Sequence, residues 1–374
     1  MSFLRKLVLA VNDYSYRVLR SILFRQTAQV WHTRILDTLT WADASDSICD
    51  LAWTVHRASF RRVPITLGGV RLAHPFILAA GFVKGHGFES EDQALAAVER
   101  GENIMPGWRS MPRLVGLVEY GSFTRHPRIG NAGTVMWRDV STQSTQNRVG
   151  LKNPGVEAAA HFLLKHVIDL PHTFGINIAL SPGVTDAQAV IDVRESINAF
   201  LKRGVIPNWF TLNISCPNTE DDPSGNQAEK LTRALCQSAL DAIADTGCDT
   251  PLWVKLGPDL ASDQYHLLMK VFAELGVRAV IATNTLGAPS PDDPTVQAGL
   301  GGGHLYTHAL GTAELLMTIR REQGYPVDVI GCGGVLNGTQ YLSYKARGVP
   351  VVQYWSALVY RGPLAGAIIE SEIG

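Results

Sequence analysis

The spacing of hydrophobic positions changes character twice along this chain. From Phe3 to Phe24, the residues Leu4, Leu7, Val8, Val11, Val18, Leu19 and Ile22 fall near helical spacing, while Arg5, Lys6, Arg17, Arg20 and Arg25 are opposed only by Asp13. That pattern predicts a basic amphipathic helix. A further helical stretch is predicted across 30–58, where Trp31, Trp41 and Trp53 are side chains suited to a wet boundary. Two readings of residues 1–62 stand side by side. They form either a cap packed on the following domain or a lipid-facing surface whose basic residues meet anionic headgroups.

After Arg62 the texture changes. The segment Val63 to Leu72 sets short apolar stretches on either side of Gly68-Gly69 and predicts a hairpin. Eight apolar runs follow, at 76–80, 116–120, 174–179, 209–214, 252–256, 279–282, 327–330 and 351–354, separated by helix-like stretches. Runs without alternation suit parallel strands buried on both faces. The expected class is therefore α/β, a (β/α)8 TIM barrel over 63–374 with an N-terminal helical extension, and a doubly wound sheet is the alternative.

Composition narrows the classes. The 374 residues, 46% of them hydrophobic, suffice for a barrel of about 250 residues and an appendage. With 33 basic and 34 acidic side chains the net charge is -1, which gives no global field for nucleic acid, so any membrane or anion site must be local. Cys49, Cys216, Cys236, Cys248 and Cys332 show no C-x-x-C spacing, which predicts free thiols in a reducing compartment and no metal centre. No run approaches the roughly 18 apolar residues of a spanning helix, and the stretch after Lys6 lacks a small-residue cleavage site, so neither secretion nor a bilayer span is expected.

In a parallel barrel the active site lies at the C-terminal strand ends. Those ends carry Gly81 to Lys84, Gly121-Ser122, Asn177, Asn213 to Thr219, Lys255, Thr283-Asn284-Thr285, Gly331 to Gly334 and Ser356. Amides converging from several strands suggest a flat heterocycle rich in donors and acceptors. Two glycine clusters, Gly299 to Gly303 and Gly331 to Gly334, add a phosphate, because the late loops of such barrels are the habitual phosphate site.

These residues carry a resemblance. Asn213-Ile-Ser-Cys-Pro-Asn-Thr219 and Ala79-Ala-Gly-Phe-Val-Lys84 resemble motifs of the dihydroorotate dehydrogenases. The likeness continues through Asn147 to Leu151, Gly175 to Asn177, Val254 to Asp259, Ala282 to Thr285, Ile330 to Val335 and Val352 to Leu358. It implies FMN, held by Ala80, Gly81, Lys84, Ser122, Asn147, Asn177 and Asn213 from the first half of the barrel. Lys255, Thr283, Gly302, Gly333, Gly334, Trp355 and Ser356 would hold it from the second. It further implies dihydroorotate, contacted by Lys84, Asn147, Gly150, Leu151, Asn213, Asn218, Thr219, Asn284 and Thr285. Cys216 stands where the family has its base, which removes a proton from C5 while a hydride leaves C6. A thiol with a pKa of about 8.5 needs only modest stabilisation for that task.

The family has a soluble branch with a cysteine base, passing electrons to fumarate or NAD, and a membrane-associated branch with a serine base, reducing quinone. Cys216 and the stretch Gly299 to Leu310 resemble the first. The extension, and Arg138 placed nine residues before Asn147, resemble the second. Gly301, Trp355 and Ala179 to Pro182 depart from the membrane branch. The extension weighs more, because a basic amphipathic cap costs a soluble barrel ordering entropy without evident purpose. The expectation is a quinone-reducing enzyme bound peripherally through residues 1–62, at the cytoplasmic face of a bacterial inner membrane or at the mitochondrial inner membrane. There Arg138 would donate to a quinone carbonyl. A fumarate- or NAD-linked enzyme, or an FMN oxidoreductase acting on another cyclic amide, are the alternatives.

Overall fold

A computed structural model describes residues 3–214 and 229–373. Three helices come first: α1 (Phe3–Leu23), α2 (Ala28–Asp43) and α3 (Asp46–Ser59). The stretch expected to be continuous across 30–58 breaks at Ala44-Ser45. The Ser45 side chain accepts from the Ile48 N–H and starts a new helix there.

The strands that follow are β1 (Ile65–Leu67), β2 (Val70–Leu72), β3 (Phe76–Leu78), β4 (Leu117–Phe123), β5 (Met136–Asp139), β6 (Ser144–Asn147) and β7 (Phe174–Ala179). Then come β8 (Trp209–Asn213), β9 (Leu252–Leu256), β10 (Ala279–Ala282), β11 (Leu286–Pro289), β12 (Gln297–Gly302), β13 (Asp328–Cys332) and β14 (Val352–Tyr354). The eight that coincide with the apolar runs close into a parallel barrel in the order β10-β13-β14-β3-β4-β7-β8-β9. Closure excludes the doubly wound alternative. Their side chains are almost all buried because helices cover the outer face.

Strands β1 and β2 form the hairpin, turning at Gly68 and Gly69 with φ of 58° and 80°. It sits under the barrel, where Gly68 N–H donates to Asp328 (2.8 Å) and the Trp253 indole donates to Gly68 O (2.8 Å). At the other end a second sheet, ordered β11-β12-β6-β5 and antiparallel, covers the mouth. The glycine cluster Gly299 to Gly303, between the sixth and seventh barrel strands, does not form a free loop. Gly299 to Gly302 instead belong to β12, paired with β11 and β6. Glycine is needed because a Cβ on Gly302, whose φ is 80°, would stand 2.4 Å from Gln143 O.

The extension is fastened by its polar groups. The Asp43 carboxylate accepts from Gly107 N–H (2.6 Å), Ser110 N–H (2.8 Å), the Ser110 hydroxyl (2.6 Å) and the Asn103 amide (2.9 Å). Arg5, expected to face headgroups, is buried instead, donating to Ser59 O (2.7 Å) and pairing with Glu370 (2.7 Å). Burial pushes the Glu370 carboxyl above its ordinary range and lowers Arg5, and their mutual attraction only partly offsets this. Arg20 likewise turns inward, to Tyr360 O. Among the five expected basic contacts, Lys6, Arg17 and Arg25 remain exposed. No described helix is long and apolar enough to cross a membrane.

Candidate functional site

The barrel mouth holds a cavity built from the ends of its strands. Ala80, Gly81 and Lys84 follow β3, Ser122 lies in β4, Asn177 in β7 and Asn213 at the end of β8. Lys255 comes from β9, and Thr283, Asn284 and Thr285 follow β10. Gly333 and Gly334 follow β13, Trp355 and Ser356 follow β14, and the covering sheet adds Asn147, Gly302 and, just beyond β6, Gly150 and Leu151. Every described residue expected to touch cofactor or substrate thus lines one space. Cys216, Asn218 and Thr219 lie outside the described residues.

Strand order gives this space two charged walls. Three strands lie between β3 and β9 in either direction around the ring of eight, so Lys84 and Lys255 approach from opposite sides. Lys255 is buried and donates to the Gln353 side chain (3.3 Å). Gln353 in turn donates to the Glu119 carboxylate (3.1 Å), which also accepts from Asn177 (2.8 Å), Trp209 (2.9 Å) and Thr211 (2.7 Å). Four donors let a carboxylate with no exposed surface sit inside the barrel. The network also fixes Asn177 so that its Oδ1, fully buried, has no hydrogen-bond partner among the described residues.

The amides form a connected row. Asn284 donates to Asn213 (3.3 Å), Asn213 to Ser122 (3.4 Å), and Thr285 N–H donates to Asn284 Oδ1 (2.8 Å). Opposite them the Thr145 and Ser356 hydroxyls bond at 2.7 Å beside Gly302. Gly334, at φ of 65°, has no room for a Cβ, which would meet Tyr306 at 2.4 Å, so this wall presents bare backbone. Burial raises the Cys332 thiol, opposed by Lys255, which suits an inert thiol.

Several residues in or just behind the cavity wall carry little signal in the sequence. His32 reaches the cavity from α2. Burial, with Lys84 and Lys152 nearby, pushes it down to about 4, so at neutral pH it is an uncharged imidazole. Its only signal is a lone histidine in a helix. Glu119 and Gln353 carried a clearer one, since each is a polar residue within an apolar run. Arg138 is not among the lining residues. It donates to Gln26 O and lies over the Phe24 ring, 4.1 Å from its centre, at the junction of α1 and α2.

Comparison with known proteins adds independent findings. A family model described as dihydroorotate dehydrogenase matches residues 63–374. A protein from Polynucleobacter asymbioticus named dihydroorotate dehydrogenase (quinone) is 30% identical over 309 residues, 80% of this chain and 83% of its own. One of the same name from Chloroflexus aurantiacus is 28% identical over 365 residues, 94% and 93% of the two chains. The fold matches the DHODH of Eimeria tenella, solved in complex with ferulenol, with a TM-score of 0.68 at 21% identity over 88% of this chain and 89% of that one.

Proposed function

The chain belongs to the dihydroorotate dehydrogenase family, and we propose that it oxidises dihydroorotate to orotate in de novo pyrimidine biosynthesis, with FMN as resident cofactor and a quinone as electron acceptor. The observation carrying this reading is a single cavity that unites two opposed lysines, a connected amide row and a wall of bare backbone.

The residues present fit FMN. Asn177 Oδ1 is a buried acceptor awaiting a donor such as a ring N–H, and the Gly302, Gly333 and Gly334 backbone beside Ser356 suits a phosphate. When bound, FMN supplies the two-electron acceptor for the substrate hydride. Lys84 and Lys255 stabilise negative charge developing in the cavity. Asn147, Asn213 and Asn284 with Thr285 hold the pyrimidine edges, and Gly150, Leu151, Asn218 and Thr219 complete the substrate side. Cys216 takes the C5 proton.

Residues 63–374 form the catalytic barrel in this reading, and residues 1–62 form the acceptor entrance and a peripheral membrane contact. Exposed apolar side chains on α1 and neutral His32 at the cavity wall support it. Arg138 braces the helix junction beside that entrance. The test is anaerobic reduction by dihydroorotate, then reoxidation by ubiquinone, menaquinone, fumarate or NAD in parallel. Bleaching of the flavin followed by fastest recovery with a quinone is expected. Faster recovery with fumarate would move the enzyme to the soluble branch that Cys216 resembles, and bleaching only by another cyclic amide would replace the substrate.

A further inference from the structure

The opposite end of the barrel carries a second concavity that the reaction does not use. A cleft of about 840 Å³ crosses the segments that lead into β3, β4 and β7, and is closed on one side by the last turns of α3. Its volume falls within the range of small-molecule sites, roughly 300–1,000 Å³. Six arginines line it against one acid, Asp169. Two of the six are engaged, because Arg109 pairs with Asp46 (2.6 Å) and Asp169 (3.0 Å), and Arg113 with Asp50 (3.1 Å) and Asp169 (3.4 Å). Arg61 lies near Glu370. Arg57, Arg62 and Arg71 are exposed and make no ion pair among the described residues.

In a chain of net charge -1, three such guanidinium groups around one hollow repel one another without local compensation. The floor is uncharged and planar. Trp53 stacks on His56 (5.2 Å, 9° between planes), His56 on Phe60 (4.7 Å) and Phe60 on His74 (4.6 Å). His74 is 1% exposed and its Nε2 has no hydrogen-bond partner among the described residues. Trp53, at the end of the stack, is 38% exposed. A cationic rim over an aromatic floor selects a ligand that joins an anion to a flat ring. Guanidinium forks match phosphate oxygens, and the terminal indole offers a face for a base.

We propose that this cleft binds a soluble organic phosphate bearing a planar ring, of the mononucleotide kind, at a site separate from the flavin cavity. The proposal does not depend on the identity of the electron acceptor.

The test uses the full chain loaded with FMN, so that the phosphate wall of the mouth cavity is filled, titrated calorimetrically with UMP, AMP and pyrophosphate at low ionic strength. One saturable mononucleotide site per chain is expected. Arg57→Gln/Arg71→Gln should weaken it about tenfold or more, as expected for losing charge-assisted hydrogen bonds. Arg57→Lys/Arg71→Lys should fall between, because charge survives but the fork does not. Trp53→Ala should weaken the mononucleotides and leave pyrophosphate unchanged. Arg100→Gln, which removes an exposed arginine paired with Glu102 elsewhere, is the control for general charge. Reduction of the flavin by dihydroorotate should be the same in all variants. Absence of saturable binding, or an equal loss with Arg100→Gln, overturns the proposal. So does retention of phosphatidylglycerol vesicles through Arg57 and Arg71 without mononucleotide binding, which would give the cleft to a lipid headgroup.

Discussion

The barrel and the extension use polar and apolar side chains in opposite ways. Inside the barrel a charged group such as Glu119 is admitted only with four donors around it, and apolar side chains are covered on both faces of the strands. In the extension the polar groups Asp43, Arg5, Tyr16 and Gln29 fasten the helices, beside one small apolar contact of Leu9 and Phe60 with Leu364 and Ile368. The apolar groups Leu7, Val11, Val18 and Ile22 are left about half exposed. Hydrogen bonds turned inward and apolar side chains turned outward are what the proposed lipid contact requires of this element. The contrast supports lipid contact more directly than helix charge does, since two of the five basic residues of this segment turn toward the barrel.

The largest expected effect breaks the barrel's chemistry and leaves the extension alone. Cys216→Ala should slow flavin reduction by dihydroorotate roughly 10²–10⁴-fold, the range for a lost general base, while orotate still binds. Stopped-flow absorbance of the flavin reads this directly, and a wild-type rate would remove Cys216 from that role. Arg5→Ala tests the seam between the two regions. It leaves the Glu370 carboxylate buried without its partner, at a cost of about 3–5 kcal/mol, and should lower the melting temperature. Arg5→Met/Glu370→Leu should recover much of that loss, because a buried pair can be replaced by apolar contact. If the double variant melts no higher than Arg5→Ala, the seam depends on more than this pair.

The same contrast explains what the sequence revealed. Parallel strands buried on both faces leave an uninterrupted apolar run, so all eight barrel strands were visible, and strand ends such as Asn177 and Lys255 pointed to the mouth. The hairpin was equally plain because Gly68-Gly69 can adopt the turn. The covering sheet was not, because β11 alternates half-buried with exposed positions, and β12, though mostly buried, is built largely of glycine, so neither leaves an apolar run. His32 and the buried Arg5 were invisible for a different reason. Their roles depend on where the helices dock, and helical periodicity fixes a face without fixing what it meets. Arg138 was read toward a quinone by resemblance, and its contacts with Phe24 and Gln26 belong to the helix junction.

Within the barrel, Asn284→Ala sharpens the site reading. It removes one member of the amide row, and orotate affinity should fall by about 1–3 kcal/mol, the cost of an unpaired buried polar partner. Equilibrium titration of the flavin spectrum with orotate measures it. Unchanged affinity would point to a substrate that does not use this edge of the cavity.

The smallest effect tests the outward face of the extension. Leu7 is 48% exposed, Val11 56% and Ile22 53%, and the three lie on α1, away from the Arg5 and Leu9 contacts that attach the helix. Because they are already in water, Leu7→Ser/Ile22→Ser should leave the melting temperature nearly unchanged. If the same side chains enter lipid, each loses about 1 kcal/mol of membrane partitioning, from the area no longer removed from water. Vesicle binding should therefore weaken, and reoxidation by a membrane-soluble quinone should slow with it, while flavin reduction by dihydroorotate stays constant. Raising salt should weaken binding further, through screening of Lys6, Arg17 and Arg25, which remain exposed. A variant that melts normally and still binds vesicles as tightly as the parent would make the apolar stripe an incidental surface. The extension would then be a cap, and the quinone assignment would lose its physical support.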